Sequence, residues 1–100
     1  MEQWYILDNW QKNSFYNTET WTQDNPDIIT KTSIHTVILT TEMKKYLSGS
    51  NAFLMTFNLS KLGNSYCTQI AFDYFDFKLI KRNGYPKNGN IIWNNWDAVK

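Results

Sequence analysis

YCTQIAFDYFDFKLIKR, residues 66–82, is the stretch on which the fold turns. It is rich in aromatic and branched residues and carries no helical period, so it reads as β-structure. Ile70, Phe72, Tyr74 and Ile80 fall on its even face, and Cys67, Ala71, Phe75, Phe77 and Leu79 on its odd face. The apolar majority changes face near Tyr74-Phe75, which predicts a bulge or a bend that hands one long strand from one packing partner to another.

Upstream, residues 61–65 contain Gly63-Asn64 and predict a hairpin loop, so residues 51–60 form an antiparallel partner. In that partner Phe53, Met55, Phe57 and Leu59 make the stronger core face, opposite Ala52, Leu54, Thr56 and Asn58. Residues 28–40 place Ile34, Thr36, Ile38 and Thr40 on one face and His35, Val37 and Leu39 on the other. Both faces are partly apolar, as in a strand covered on both sides.

Residues 41–48 predict a helix: Thr41 caps it, Glu42 sits in its first turn, Met43, Tyr46 and Leu47 form its stripe, and Gly49 stops it. Two turns are not stable alone, so the stripe must pack on the sheet. Further strands are predicted over residues 3–10 and 15–22, joined by a polar turn at 11–14. The QDNPD segment 23–27 and the NGYPKNGN segment 83–90 predict loops, and 91–96 a short closing strand or an aromatic anchor. The expected architecture is α+β: a mostly antiparallel sheet of five or six strands with one short helix packed on it, a small β-barrel being the alternative.

No repeat or linker divides the 100 residues, which form a single domain, residues 1–100. A chain of this length buries roughly two thirds of its unfolded surface. One cysteine and one histidine leave no disulfide framework and no cysteine/histidine zinc site, so burial must supply the stability, and 17% of the residues are aromatic. The net charge of +1 gives no field for gathering a polyanion. Twelve asparagines with abundant lysine, isoleucine and tyrosine fit an AT-rich coding sequence, such as that of a phage, plasmid or low-GC bacterium. Residues 1–10 include Glu2 and Asp8 and lack a basic segment followed by an apolar run, so a cytoplasmic location is expected. No apolar run approaches the ~20 residues that span a bilayer, and no membrane partner is expected.

Catalytic constellations are scarce. His35 lies among Ile, Thr and Val, where a structural ring is the ordinary outcome. Cys67 has no neighbouring histidine and no CxxC partner and is expected to act as a small buried hydrophobe. Asp73 and Asp76, three apart on one strand, would point to opposite faces unless a bulge intervened. Residues 24–27, DNPD, lack calcium-loop spacing, and no phosphate-binding, dinucleotide, serine-hydrolase or zinc-protease motif occurs. Neither an enzyme nor a cofactor is expected.

The aromatic residues remain. They crowd the first fifth of the chain and its end, as a second core or as an exposed surface of the kind protein hot spots use. The leading expectation is a protein-binding module, an accessory protein of a phage or mobile element that inhibits a host or defence protein, contacting it through Trp10, Trp21, Tyr85, Trp93 and Trp96. The alternative is a single-stranded nucleic-acid binder using sheet aromatics beside Lys78, Lys81, Arg82 and Lys87, the one basic concentration.

Overall fold

The computed structural model describes residues 25–73, 75 and 77–100, together with the backbone of residues 16–22. In chain order the strands are β1 (Tyr16–Thr22), β2 (Ser33–Ile38), β3 (Asn51–Asn58), β4 (Cys67–Phe72), β5 (Leu79–Lys87), β6 (Asn90–Trp93) and β7 (Asp97–Ala98). They form one sheet ordered β1-β2-β3-β4-β5-β6, with β7 also paired to β5. The sheet curls like half a barrel. β1 runs parallel to β2 with an irregularity between Tyr16 and Trp21, and every other pairing is antiparallel. The predicted strand over 3–10 and turn over 11–14 lie outside the described residues.

The stretch 66–82 proves to be two strands and a hairpin, not one bent strand. Ala71 pairs with Ile80, Gln69 with Arg82 and Cys67 with Gly84, so the apolar majority changes parity because the chain reverses. Asp73 closes the reversal: its buried carboxylate accepts from the Gly49 amide at 2.6 Å and from the Phe75 amide at 2.8 Å. The second hairpin, between β5 and β6, turns on Asn88 (φ 52°) and Gly89 (φ 80°). Two consecutive left-handed residues match the twist of antiparallel strands. The other Asn-Gly pair, Asn83-Gly84, stays within β5. A Cβ on Gly84 would lie 2.7 Å from Ile91 Cγ2 and 2.8 Å from the Trp93 ring, so here glycine serves close packing.

The expected helix over 41–48 is absent. Met43–Lys45 makes a single 3₁₀ turn, with Tyr46 N donating to Met43 O at 3.0 Å and Lys45 N to Glu42 O at 3.3 Å. Thr40, not Thr41, supplies the side-chain acceptor, its hydroxyl taking the Met43 amide at 3.3 Å. One turn is enough to bury Met43 and Leu47, and Asp73 then captures Gly49 at the entry to β3. The gain available from a second turn is small, because nucleation is the costly step and short helices are marginal. The architecture is therefore a β-sheet with 3₁₀ turns, the other turn being Pro26–Ile28, capped by Asn25 accepting from the Asp27 amide at 3.0 Å. No helix among the described residues is long and apolar enough to cross a membrane.

The face assignment of β3 is also reversed. Ala52, Leu54 and Thr56 point into the core, whereas Phe53 and Phe57 are 37% and 45% exposed. Register explains the choice: Leu54 lies between His35 and Ala71, and Ala52 opposite Val37. Leu39, Met43, Leu47, Ile29 and Trp96 complete the core with these residues. Small strand residues leave room for such large ones arriving from loops.

Candidate functional site

The sheet has two different faces. On the inner face a polar row, Ser33, Thr56, Gln69 and Arg82, crosses β2 to β5 in register. Gln69, fully buried, is its hub. Its Nε2 donates to Pro26 O at 2.8 Å, Ile29 O at 3.0 Å and Thr56 Oγ1 at 3.2 Å, while its Oε1 accepts from Arg82 Nε at 2.8 Å. The Arg82 guanidinium, itself buried, is sandwiched between the rings of Trp93 at 4.3 Å and Trp96 at 4.5 Å. Its Nη2 lies 2.7 Å from Asp27 Oδ1, too oblique for a full hydrogen bond but a close ion pair. Burial lowers the Arg82 pKa, and Asp27 partly offsets that. This row latches the 26–29 turn onto the sheet.

The outer face is apolar over β2 to β4. One row runs Ile34, Met55, Ile70 and Lys81, the next Thr36, Phe53, Phe72 and Leu79, and a third Phe57, Thr68 and Asn83. The Phe53 and Phe72 rings stack with centroids 5.1 Å apart. Ile38 and Leu79 are 43% and 40% exposed, and Tyr85 and Ile92, paired across β5 and β6, extend the patch at 38% and 40%. Contiguous apolar surface of this kind is a mark of an interaction site. Beside Leu79 the hairpin 73–78 carries Phe75 and Phe77, 73% and 78% exposed. Phe77 holds a left-handed φ of 57°, a costly conformation for a bulky side chain.

The residues singled out from sequence fall in different places. Trp10 lies outside the described residues, as does the side chain of Trp21, whose backbone belongs to β1. Tyr85 is on the outer face. Trp93 is half-buried, stacked on Arg82 and donating its indole N–H to Asp27 O at 3.0 Å. Trp96 is a core residue, 5% exposed. Of the basic segment, Lys78, Lys81 and Lys87 are exposed, but Arg82 is withdrawn into the interior. His35 is half-buried with Nε2 3.0 Å from Ser33 Oγ. Asp73 is committed to backbone amides, and Asp76 lies outside the described residues. No cluster of metal-ligating side chains occurs among the described residues.

Cys67 is buried on the inner face, opposite Asn58 and Gly84. Burial raises its thiol above the ordinary 9.0, against smaller lowering effects from the Arg82 charge and the Asn58 hydrogen bond. The folded chain then keeps a proton that the unfolded chain gives up. Stability is therefore complete below the ordinary thiol value and falls as pH rises past it. Cys67→Ala is expected to flatten that alkaline decline in urea titrations, and iodoacetamide to label the native protein only at the rate of its opening. An equal decline in the variant would assign the effect to other groups.

Comparison with protein-family models, curated proteins and solved structures finds no match for the chain.

Proposed function

We propose that this chain is a non-enzymatic protein-binding module that engages its partner through the outer sheet face. The observation that carries the reading is the exposed apolar patch built on Phe53, Met55, Phe57, Ile70, Phe72 and Leu79, continued by Tyr85. Its aromatic residues, with the polar Thr68, Asn83 and Lys81 set among them, give the mix of apolar and polar surface that interfaces use. A role as a phage or mobile-element accessory protein that blocks a host or defence protein fits a small cofactor-free domain and an AT-rich composition.

A second reading, single-stranded nucleic-acid binding, is favoured by one feature. The stacked Phe53 and Phe72 share a face with the exposed Lys81. With Arg82 buried and a net charge of +1, electrostatic support for it is thin.

One experiment separates the two. The chain is used to capture proteins from host lysate, and its affinity for single-stranded oligonucleotides is titrated against salt. A protein is expected to be retained, and Phe57→Ser to weaken its capture by about 30-fold, the hot-spot scale of roughly 2 kcal/mol. Because Phe57 is 45% exposed, the melting temperature should fall by only a few degrees. Sub-micromolar oligonucleotide binding with a steep salt slope, and no retained protein, would replace the first reading with the second.

A further inference from the structure

We infer that the outer sheet face is occupied, in the free protein, by a second copy of this chain, giving a two-fold dimer in which two sheets pack face to face. The inference rests on reading that face as an interface, and three observations select the occupant.

The first is area. Phe53, Phe57, Tyr66 and Tyr85 are 37%, 45%, 61% and 38% exposed. At roughly 200 Å² per aromatic side chain they present on the order of 400 Å². Ile38, Leu79 and Ile92, exposed by 40–43%, and the half-buried Ile34, Met55, Ile70 and Phe72 add the greater part of what is needed to reach ~800 Å², the share each partner buries in a standard interface. The patch is far larger than the scattered apolar residues a free monomer carries without consequence.

The second is charge. With a net charge of +1, two copies repel one another weakly, and the rows through Phe53 and Phe57 carry no acidic side chain among the described residues. Lys81 pairs with Asp97 of β7, so the one charged row closes on residues of opposite sign.

The third is shape. The patch is built on four strands in regular register, the kind of surface that packs face to face with a second sheet. A sheet that is apolar on both faces is buried on both faces, and the inner face already has its cover.

A consequence follows for the proposed activity: a target that takes this face competes with dimerisation, so its apparent affinity falls as the chain is concentrated.

Sedimentation equilibrium of the whole chain between 1 and 500 µM tests the proposal. A monomer–dimer equilibrium is expected, with Phe57→Lys and Phe53→Lys each weakening dimerisation at least tenfold. Should Phe53→Lys perturb the fold, seen as lost dispersion in its amide spectrum, Phe57→Lys decides alone. A second arm cross-links the wild type through its exposed lysines, where a covalent dimer is expected. A wild-type monomer at 500 µM overturns the proposal, as does a dimer that both lysine variants leave intact. The monomer result would leave the protein-binding reading standing, since capture of a target by the same face does not require self-association.

Discussion

Gln69→Leu is expected to cost the fold about 4 kcal/mol, a large share of its stability. Leucine nearly preserves the volume, so the loss isolates hydrogen bonding. Removing the amide strands the Ile29 carbonyl, a threonine hydroxyl and the Nε of a buried arginine, and leaves Pro26 O with the Ile29 amide alone. Each buried polar group left without a partner costs about 1–3 kcal/mol. Three such groups, even with partial relief from water, weigh heavily against a total stability of roughly 5–15 kcal/mol for a domain of this kind. The 26–29 turn is where the damage should show first, because Gln69 holds it from the centre of the sheet and Ile29 reaches the core through it. Urea titration followed by circular dichroism reads the loss. A change below about 1 kcal/mol would mean that the turn finds other partners and that Gln69 is not its anchor.

The antiparallel body of the fold was legible because its signals are local. Gly63-Asn64 marks the β3–β4 connection, and β2 and β3 fall within segments dense in β-type residues, whereas β5 runs on through residues 83–87, which predict a loop. Three features were hidden for physical reasons. Phe53 and Phe57 look more core-like than Ala52 and Thr56, but the inner face is completed by Met43, Leu47 and Trp96 arriving from turns, and long-range packing overrode the strand's own pattern. Residues 66–82 contain no glycine or proline to announce a reversal. The turn is made instead by Asp73, an aspartate accepting amide hydrogens two residues ahead and from a distant loop, and by Phe77 in a conformation usually left to glycine. The 41–48 segment has a helical stripe, but a stripe only says which side chains go inward, and one 3₁₀ turn satisfies that requirement. The candidate face was the least legible. Its apolar residues are indistinguishable by type from core, and only register reveals that they share the uncovered side. The Gln69–Arg82 pair did leave a trace, a lone amide and a lone guanidinium within β-type runs, each on the parity that turns out to face inward.

Arg82→Ala is expected to destabilise by about 3 kcal/mol, from one buried oxygen left without its donor, roughly 1–3 kcal/mol, and the gap left by the side chain. The side chain spans four partners at once. Its plane fills the gap between two indoles, its Nε satisfies Gln69 Oε1, and its Nη2 meets Asp27. Asp27 is 52% exposed and rehydrates readily, so the cost falls on the orphaned Gln69 oxygen and on the space left between Trp93 and Trp96. Arg82→Lys separates charge from shape. An ammonium keeps the charge and most of the stem but has no flat face to lie between two rings and no fork to reach two acceptors, so a loss of about 2 kcal/mol should remain. The two cations also differ with pH. Burial lowers the pKa of either, and the ordinary lysine value of about 10.4 is already closer to the working range than that of arginine. In the lysine variant the folded state would release its proton before the unfolded state does, so the unfolded chain binds more protons and stability rises with pH on approach to the ordinary lysine value. Urea midpoints at pH 7 and pH 9.5 should therefore move upward for Arg82→Lys relative to the wild type. Equal stability of the lysine variant and the wild type at pH 7 would show that the sandwich between Trp93 and Trp96 contributes nothing that a point charge does not.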